Sequence, residues 1–137
     1  MDDAFRFTEE IPLRLRDLDQ MNHVNNAVYA TFLEQARSAY FRDVVGRPLN
    51  GVGMVIADLE LDFERGVTLD AGRVTVGARV TELGRSSIPM AYQVWADGER
   101  AATGATTMVH VDREAGGSKP IPDAWRETIT EFEGLEP

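Results

Sequence analysis

Hydrophobic and polar side chains alternate along five stretches of the chain, which is the pattern of strands with one buried face. The predicted strands cover residues 5–15, 55–63, 73–83, 87–96 and 100–111. Within the first strand, Pro12 indicates a position at a sheet edge or at a bulge. In the second strand the odd positions are apolar, and the acidic residues Asp58, Glu60 and Asp62 alternate with them.

A helical pattern replaces the alternation between residues 27 and 45, where neither Gly nor Pro occurs. Asn25 or Asn26 is the predicted N-cap, and Gly46 is the residue just past the C-terminus. The apolar surface of this helix is broad, as expected for a helix wrapped by a sheet. A second, short helix is predicted to follow Asp123, which should cap it.

The predicted order is one strand, one long helix, four further strands and a short C-terminal helix. Asp97-Gly98, between the last two strands, is a two-residue sequence typical of a tight hairpin turn. The order predicts an α+β fold in which a five-stranded antiparallel sheet curls around one long helix. We expect residues 1–137 to form a single domain. A single sheet with a helix on one face leaves its outer face uncovered and an edge strand unpaired, which favours self-association.

The 137 residues include 23 acidic and 14 basic side chains, which give a formal net charge of −9. Nucleic acids and anionic membrane surfaces require a positive field, so neither is expected as a partner. No apolar run approaches the roughly 20 residues of a membrane-spanning helix, and the first residues do not resemble a secretory signal. The chain has no Cys and two His, which excludes thiolate chemistry and argues against a metal site. We therefore expect a cytoplasmic protein.

The densest polar cluster lies between the first strand and the long helix, in Asp17-Leu-Asp19-Gln-Met-Asn-His23-Val-Asn-Asn-Ala-Val-Tyr29. Short polar side chains here favour a turn followed by a helix cap. The turn brings a carboxylate and an imidazole close to a helix N-terminus, where free backbone N–H groups can polarise a carbonyl oxygen. On spacing alone, a turn or capping role explains Asp19 better than a catalytic role does. For Asp17, a structural ion pair is the better interpretation.

The same segment resembles the signature of hotdog-fold thioesterases. The 4-hydroxybenzoyl-CoA thioesterases and the plant acyl-ACP thioesterases share its Asp-Leu-Asp…His-Val-Asn-Asn…Tyr pattern, and the resemblance covers nearly the whole chain. It implies a hotdog fold and hydrolysis of an acyl-CoA thioester to a carboxylic acid and free coenzyme A. It also implies no metal or redox cofactor, and a homodimer or homotetramer in which the strand after the long helix pairs with its copy.

Residue by residue, the resemblance assigns the catalytic carboxylate to Asp19, acting as nucleophile or as general base. The backbone amide that polarises the thioester carbonyl falls at about Asn26. His23 matches the histidine of the plant-type motif, where it orients water or substrate or makes a structural hydrogen bond. Asn25 and Tyr29 complete the segment as candidate substrate-binding residues.

More distant candidates follow from the same resemblance. Glu64 falls near the second carboxylate of some hotdog enzymes, although a solvated turn acid also explains it. Arg85, Ser86 and Ser87 fall where relatives meet the pantetheine or nucleotide of coenzyme A, although a solvated turn also explains Arg85. Met21 departs from the plant-type pattern, which has Asn there, and this favours a mechanism based on the carboxylate and the helix dipole.

Two other functions are compatible with the sequence: hydrolysis of acyl groups on acyl carrier protein, and acyl-CoA binding without catalysis. The acidic chain argues mildly against docking an acidic carrier protein. The presence of Asp19 argues against a protein that only binds. The sequence does not indicate the length or kind of the acyl group, or the pathway.

Overall fold

The computed structural model describes residues 4–136. Five strands form one antiparallel sheet: β1 (Phe7–Pro12), β2 (Met54–Phe63), β3 (Arg73–Val80), β4 (Ser87–Ala96) and β5 (Glu99–His110). Their order across the sheet is β1-β3-β4-β5-β2, so β1 and β2 are its edges. Two helices complete the fold, α1 (Asn26–Tyr40) and α2 (Asp123–Glu133), and no helix of the described chain is long and apolar enough to cross a membrane. The predicted sheet with one long helix and a short C-terminal helix is confirmed.

Helix α1 begins and ends where local chemistry favours it. Asn25 is its N-cap, because the Asn25 side chain accepts a hydrogen bond from the backbone N–H of Ala27 at 2.9 Å. After α1 the chain continues through a π-helical turn, Phe41–Val45, and stops at Gly46. The φ of Gly46 is 77°, in the left-handed region that glycine adopts without strain. The predicted helix of residues 27–45 is thus an α-helix continued by one wider turn.

The core lies between α1 and the sheet face that packs against it, which we call the inner face. Leu33, in the middle of α1, is fully buried. A Cβ on Gly104 of β5 would approach Leu33 Cδ1 to 2.8 Å, so glycine allows this close approach of helix and sheet. At one end of the core, Tyr40 Oη donates to Glu133 Oε2 of α2 at 2.6 Å. Burial and the Glu133 carboxylate raise the pKa of Tyr40, so its hydroxyl remains a donor.

Strand β2 contains a bulge that its sequence does not reveal. Its pairing with β5 shifts register between Ile56 and Asp58, which leaves Ala57 without a partner. Because the extra residue reverses the alternation, Ile56 and Leu59 share the inner face and Val55 lies on the outer face. The expectation that odd positions share one face throughout this strand is therefore wrong.

Helix α1 leaves part of the inner face of β2 uncovered. Ile56, Leu59 and Phe63 keep 43%, 46% and 43% of their surface exposed, and Leu61 between them is partly buried. We call these four residues the β2 strip. Because β2 is also an edge, no strand of the described chain pairs with its free side. An apolar strip thus adjoins an open row of backbone hydrogen-bonding groups.

Local sequence signals predict the turn between β4 and β5 and the edge position of β1 correctly, but not the cap of α2. Asp97 and Gly98 both have positive φ, 53° and 74°, as the predicted hairpin turn requires. Pro12 lies on an edge strand, also as predicted. Pro122 occupies the cap position of α2 without a side-chain hydrogen bond, so the expectation that Asp123 caps this helix is wrong. Asp123 instead opens the first turn, where its charge complements the helix dipole.

Replacing Leu33 with Ala should lower the free energy of unfolding by about 2 to 5 kcal/mol, because it leaves a cavity at the centre of the core. Glu34→Ala, at the next and exposed position of α1, is the control and should change stability by about 0.5 kcal/mol or less. Urea denaturation followed by circular dichroism measures both values. Equal effects of the two substitutions would contradict the central position of Leu33.

Candidate active site

A tight loop between β1 and α1 presents the predicted catalytic carboxylate. The backbone N–H of Asp19 donates to the carbonyl oxygen of His23 at 2.8 Å, and the N–H of Asn22 donates to the carbonyl oxygen of Asp19 at 3.1 Å. Asn22 has a φ of 60°, a left-handed conformation that Asn tolerates better than most residues. The loop from Asp19 to His23 is therefore closed by its own backbone.

One oxygen of the Asp19 carboxylate is held by this loop. Oδ1 accepts hydrogen bonds from the backbone N–H groups of Met21 at 2.8 Å and His23 at 3.3 Å. Asp19 is exposed, and within residues 4–136 no protein donor lies against its Oδ2. One oriented oxygen and one available oxygen is an arrangement in which a carboxylate can act as a base or as a nucleophile.

The N-terminus of α1 lies beside the loop. The N–H of Asn25 donates to the carbonyl oxygen of Asp17 at 2.8 Å, which ties the helix start to the residues before the loop. Asn25 also accepts the N–H groups of Ala27 and Val28, through Oδ1 and its carbonyl oxygen, at 2.9 Å each. The amide of Asn26 has no such acceptor within the described chain, so it can bind a ligand oxygen.

These groups share one depression of about 300 Å³. Asp19, His23, Asn26 and Tyr29 line it, and Phe63 at the end of β2 forms the opposite wall. The ring centroids of Tyr29 and Phe63 are 5.1 Å apart. Tyr29 is buried, and burial raises the pKa of its hydroxyl. The structure therefore brings together the predicted carboxylate, imidazole, amide and tyrosine.

Contacts with the segment after β2 hold His23. It pairs with Thr68 in an isolated β-bridge, and the N–H of the following residue, Val24, donates to the carbonyl oxygen of Val67 at 2.8 Å. The imidazole lies over Gly66, where a Cβ would approach Nδ1 to 3.0 Å. Gly66 is not recognisable as part of the site from local sequence, because this contact joins residues far apart in the chain.

An ion pair between the buried carboxylate of Asp17 and the exposed side chain of Arg14 anchors the start of the loop. Asp17 is 1% exposed, and its carboxylate accepts Arg14 Nη2 at 2.9 Å and the Arg14 backbone N–H at 2.8 Å. Burial opposes the charged form of Asp17, but the hydrogen bonds and charge of Arg14 and the charge of Arg16 outweigh it and lower the pKa of Asp17. The predicted structural role of Asp17 is confirmed, with Arg14 as its partner.

Glu64 also lines the depression, but its carboxylate is engaged. Arg100 donates to it through Nε at 2.6 Å and through Nη2 at 2.9 Å. The hydrogen bond from Arg100 lowers the pKa of Glu64, which makes this carboxylate a weaker base. The geometry thus favours the turn-acid interpretation of Glu64 and leaves Asp19 as the carboxylate with a free oxygen.

Residues 85–87, the predicted contacts to coenzyme A, lie away from the depression of their own chain. Ser87 is opposite Val109 of β5, whereas Phe63 of the depression is opposite Ala102. At about 3.3 Å per residue, these two positions on β5 are roughly 23 Å apart. A single chain therefore does not bring residues 85–87 to the carboxylate.

Comparison with known proteins identifies the family. Residues 21–103 match the thioesterase superfamily, which is more than half of the chain. This chain belongs to the thioesterase superfamily. Its fold is similar to the crystal structure of a thioesterase from Thermus thermophilus complexed with coenzyme A and Zn, with a TM-score of 0.86 and 38% identity over 99% of each chain.

Two further proteins are similar to this chain over most of its length. The YsmA protein of Bacillus subtilis is 27% identical over 128 residues, which cover 92% of this chain and 86% of that protein. The DHNA-CoA thioesterase of Staphylococcus aureus has a TM-score of 0.80 and 24% identity, and the match covers 93% of this chain and 91% of that one. At that identity the likeness shows the fold alone. The predicted hotdog fold and thioesterase family are both confirmed.

The zinc of the Thermus structure has no evident site among the described residues. Within residues 4–136, no group of three or more His, Asp or Glu side chains is arranged to hold a metal ion. The expectation that the reaction needs no metal or redox cofactor stays a prediction.

Asp17→Asn should reduce stability at neutral pH by about 1 to 3 kcal/mol, because it removes the charge from a buried carboxylate that accepts hydrogen bonds from Arg14. The pKa of Asp17 is lower in the folded protein than its ordinary value of 3.8, so its contribution is complete above pH 3.8 and is lost as the pH falls towards the folded pKa. The stabilities of the wild-type protein and of Asp17→Asn should therefore converge as the pH falls below 3.8. Thermal unfolding across this range measures the difference, and a difference that stays constant would contradict the assignment.

Proposed function

We propose that this protein hydrolyses an acyl-CoA thioester to a carboxylic acid and free coenzyme A. The observation that carries the proposal is the presence, in one depression, of the free Asp19 oxygen and the Asn26 amide without an acceptor. Membership of the thioesterase superfamily supports the reaction, and the coenzyme A bound by the Thermus relative supports the substrate class. The reducing cytoplasm is the proposed compartment, with which a chain without Cys is compatible.

The proposed mechanism needs a nucleophile and a site for an oxyanion. The thioester carbonyl oxygen binds the Asn26 amide, where the helix N-terminus stabilises the negative charge that develops. Asp19 Oδ2 then attacks the carbonyl carbon, or removes a proton from the water molecule that attacks it. His23, at the edge of the same depression, orients this water or the substrate. The carbon–sulfur bond breaks and coenzyme A leaves as the thiol, its sulfur taking a proton from protonated Asp19 in the general-base route and from water in the nucleophilic route. In the nucleophilic route a water molecule then hydrolyses the mixed anhydride on Asp19, which releases the carboxylic acid and restores the carboxylate.

We also propose that the working form is a homodimer, or a tetramer built from it, joined through β2. Pairing two copies of β2 would extend the sheet and bring the β2 strips of the two copies side by side. In an antiparallel pair, the start of one β2 lies beside the end of the other, near Phe63. Ser87 and Val55 both lie opposite Val109, so residues 85–87 of a second copy would be brought towards the depression. This arrangement supplies the predicted contacts to coenzyme A that one chain lacks.

Asp19→Asn should fold normally and lose about 10²-fold or more of kcat/KM, because the amide can be neither base nor nucleophile. A thiol-reactive dye measures release of coenzyme A from short, medium, long and aromatic acyl-CoAs, and a chain without Cys adds no background. Asp123→Asn, an exposed acid at the start of α2, is the control and should keep the wild-type rate. Wild-type kinetics in a well-folded Asp19→Asn protein would falsify the role of Asp19.

The same panel separates the alternatives. Binding of acyl-CoA with no thiol release from any ester would indicate a binding protein without catalysis. Release from acyl carrier protein thioesters alone would indicate the carrier-protein enzyme. If neither kind of thioester is bound or hydrolysed, the proposed function is wrong.

Light scattering should give a mass of at least twice the 15.2 kDa of one chain. Leu59→Asp should shift the protein towards the monomer and reduce hydrolysis, because it places a charge where the β2 strips of two copies would meet. Thr8→Asp introduces the same charge at an exposed position of β1, the opposite edge, and should change neither property. A fully active wild-type monomer at micromolar concentration would count against the β2 interface.

A further inference from the structure

Arg37 of α1 is a buried cation without a counter-charge among the described residues. It is 8% exposed, and its Nη1 donates to Tyr92 Oη at 3.4 Å; that hydroxyl is hydrogen-bonded in turn to Thr106 Oγ1 at 2.7 Å. Burial raises the pKa of Tyr92, so the hydroxyl is neutral. No carboxylate within residues 4–136 forms an ion pair with Arg37. A buried ion is costly unless it is paired, so this guanidinium indicates a missing anion.

The unused donors of Arg37 are not enclosed by the core. Within the described chain, Arg79 Nε is the one fully enclosed side-chain polar atom that lacks a hydrogen bond. Nε and Nη2 of Arg37 therefore keep contact with solvent. The acids of β2 do not supply the missing charge. Leu59 lies opposite Thr106 on the inner face, and its neighbours Asp58 and Glu60 therefore point to the outer face.

Arg37 lies at the level of Leu59, one of the four residues of the β2 strip. Three levels along α1 establish the order of contacts. At the first level, the ring of Tyr29 lies beside that of Phe63. At the second, Leu33 and Leu61 both lie over Gly104. At the third, Arg37 is joined through Tyr92 to Thr106, which lies opposite Leu59. Because Phe63 also lines the depression, the β2 strip forms one row of side chains beside α1 from the depression to the level of Arg37, and we call this row the trough.

The length of this trough suits an acyl chain. At about 1.5 Å per residue, α1 rises roughly 16 Å between Asn26 and Arg37. The Arg37 side chain leans towards the helix N-terminus and shortens the gap. An extended chain advances about 1.2 Å per bond, so roughly ten bonds join the carbonyl site to the guanidinium.

We propose that Arg37 binds a carboxylate at the far end of the acyl group, so that the preferred substrates are coenzyme A thioesters of dicarboxylic acids. The inference rests on the proposed function, because the trough begins at its carbonyl site. The β2 strip contacts the methylene groups, and the carboxylate supplies the counter-charge in a geometry that the guanidinium fork binds well. The competing occupant is a carboxylate of a second copy.

The test compares dicarboxylic and monocarboxylic esters of equal length: suberoyl with octanoyl-CoA, sebacoyl with decanoyl-CoA, and dodecanedioyl with dodecanoyl-CoA. For at least one pair, the wild-type protein should favour the dicarboxylic ester in kcat/KM by about tenfold or more. Arg37→Met should reduce this ratio by about tenfold or more, and Arg37→Lys should keep part of it. Arg42→Met removes an exposed arginine paired with Asp43 and should leave the ratio unchanged.

The outcomes separate this inference from the proposed function. Hydrolysis with no preference at any length, or a preference that Arg37→Met retains, overturns the role of Arg37 and leaves the thioesterase intact. The role of Arg37 is also overturned if Arg37→Met has a lower mass in light scattering and an unchanged preference for dicarboxylic esters. In that case the guanidinium binds a carboxylate of a second copy.

Binding decides the case in which no ester is hydrolysed. Isothermal titration of Asp19→Asn with the same pairs needs no turnover, and circular dichroism checks that each variant is folded. Tighter binding of the dicarboxylic ester that is lost in Asp19→Asn/Arg37→Met supports the role of Arg37. Equal binding of both esters overturns it.

Discussion

One helix must cover the inner face of a five-stranded sheet, and the rest of the structure depends on this constraint. Helix α1 is roughly 22 Å long, and Leu33 packs against Gly104 near the middle of its contact with the sheet. The coverage ends before the edge strand β2, whose inner side chains remain partly exposed. The depression, the trough and the open sheet edge all follow from this incomplete coverage. The proposed interface would use the surface that the core leaves uncovered.

Two aspartates in adjacent turns illustrate how environment separates structural from chemical roles. Asp17 points inwards, where Arg14 satisfies its charge and lowers its pKa. Asp19 points outwards, with one oxygen held by backbone amides and the other free. The first anchors the loop and the second is presented by it. A rigid loop matters for catalysis, because a reacting group must be held in place before the substrate arrives.

The charge distribution of the protein gives the buried arginine its significance. The chain is strongly acidic, yet its acids on β2 point to the outer face and none pairs with Arg37 on the inner face. Tyr92 and Thr106 provide polar neighbours without charge. An anionic group that entered the trough would therefore meet a cation already positioned to receive it.

The sequence alone determined much of the fold and the centre of the candidate site. Alternation placed all five strands, though the ends of β1 and β3 were predicted too long. Asn25 as helix cap and Asp97-Gly98 as a tight turn followed from local chemistry. The polar cluster around Asp19 was recognisable because its residues are neighbours in the chain. Such features depend on backbone preferences and side-chain periods that a few consecutive residues specify.

Only the tertiary structure decided the rest, because it depends on pairs of residues distant in the chain. The bulge at Ala57 appears when β2 is set against β5. Glu64 is engaged because Arg100, 36 positions away, reaches it. Arg37 follows Leu33 by four positions, so helical spacing puts it on the side of α1 that faces the sheet, but only the fold shows that it is buried and meets Tyr92, 55 positions later. Local patterns specify which face of an element is apolar, but packing decides which polar group is enclosed there and what remains to balance its charge.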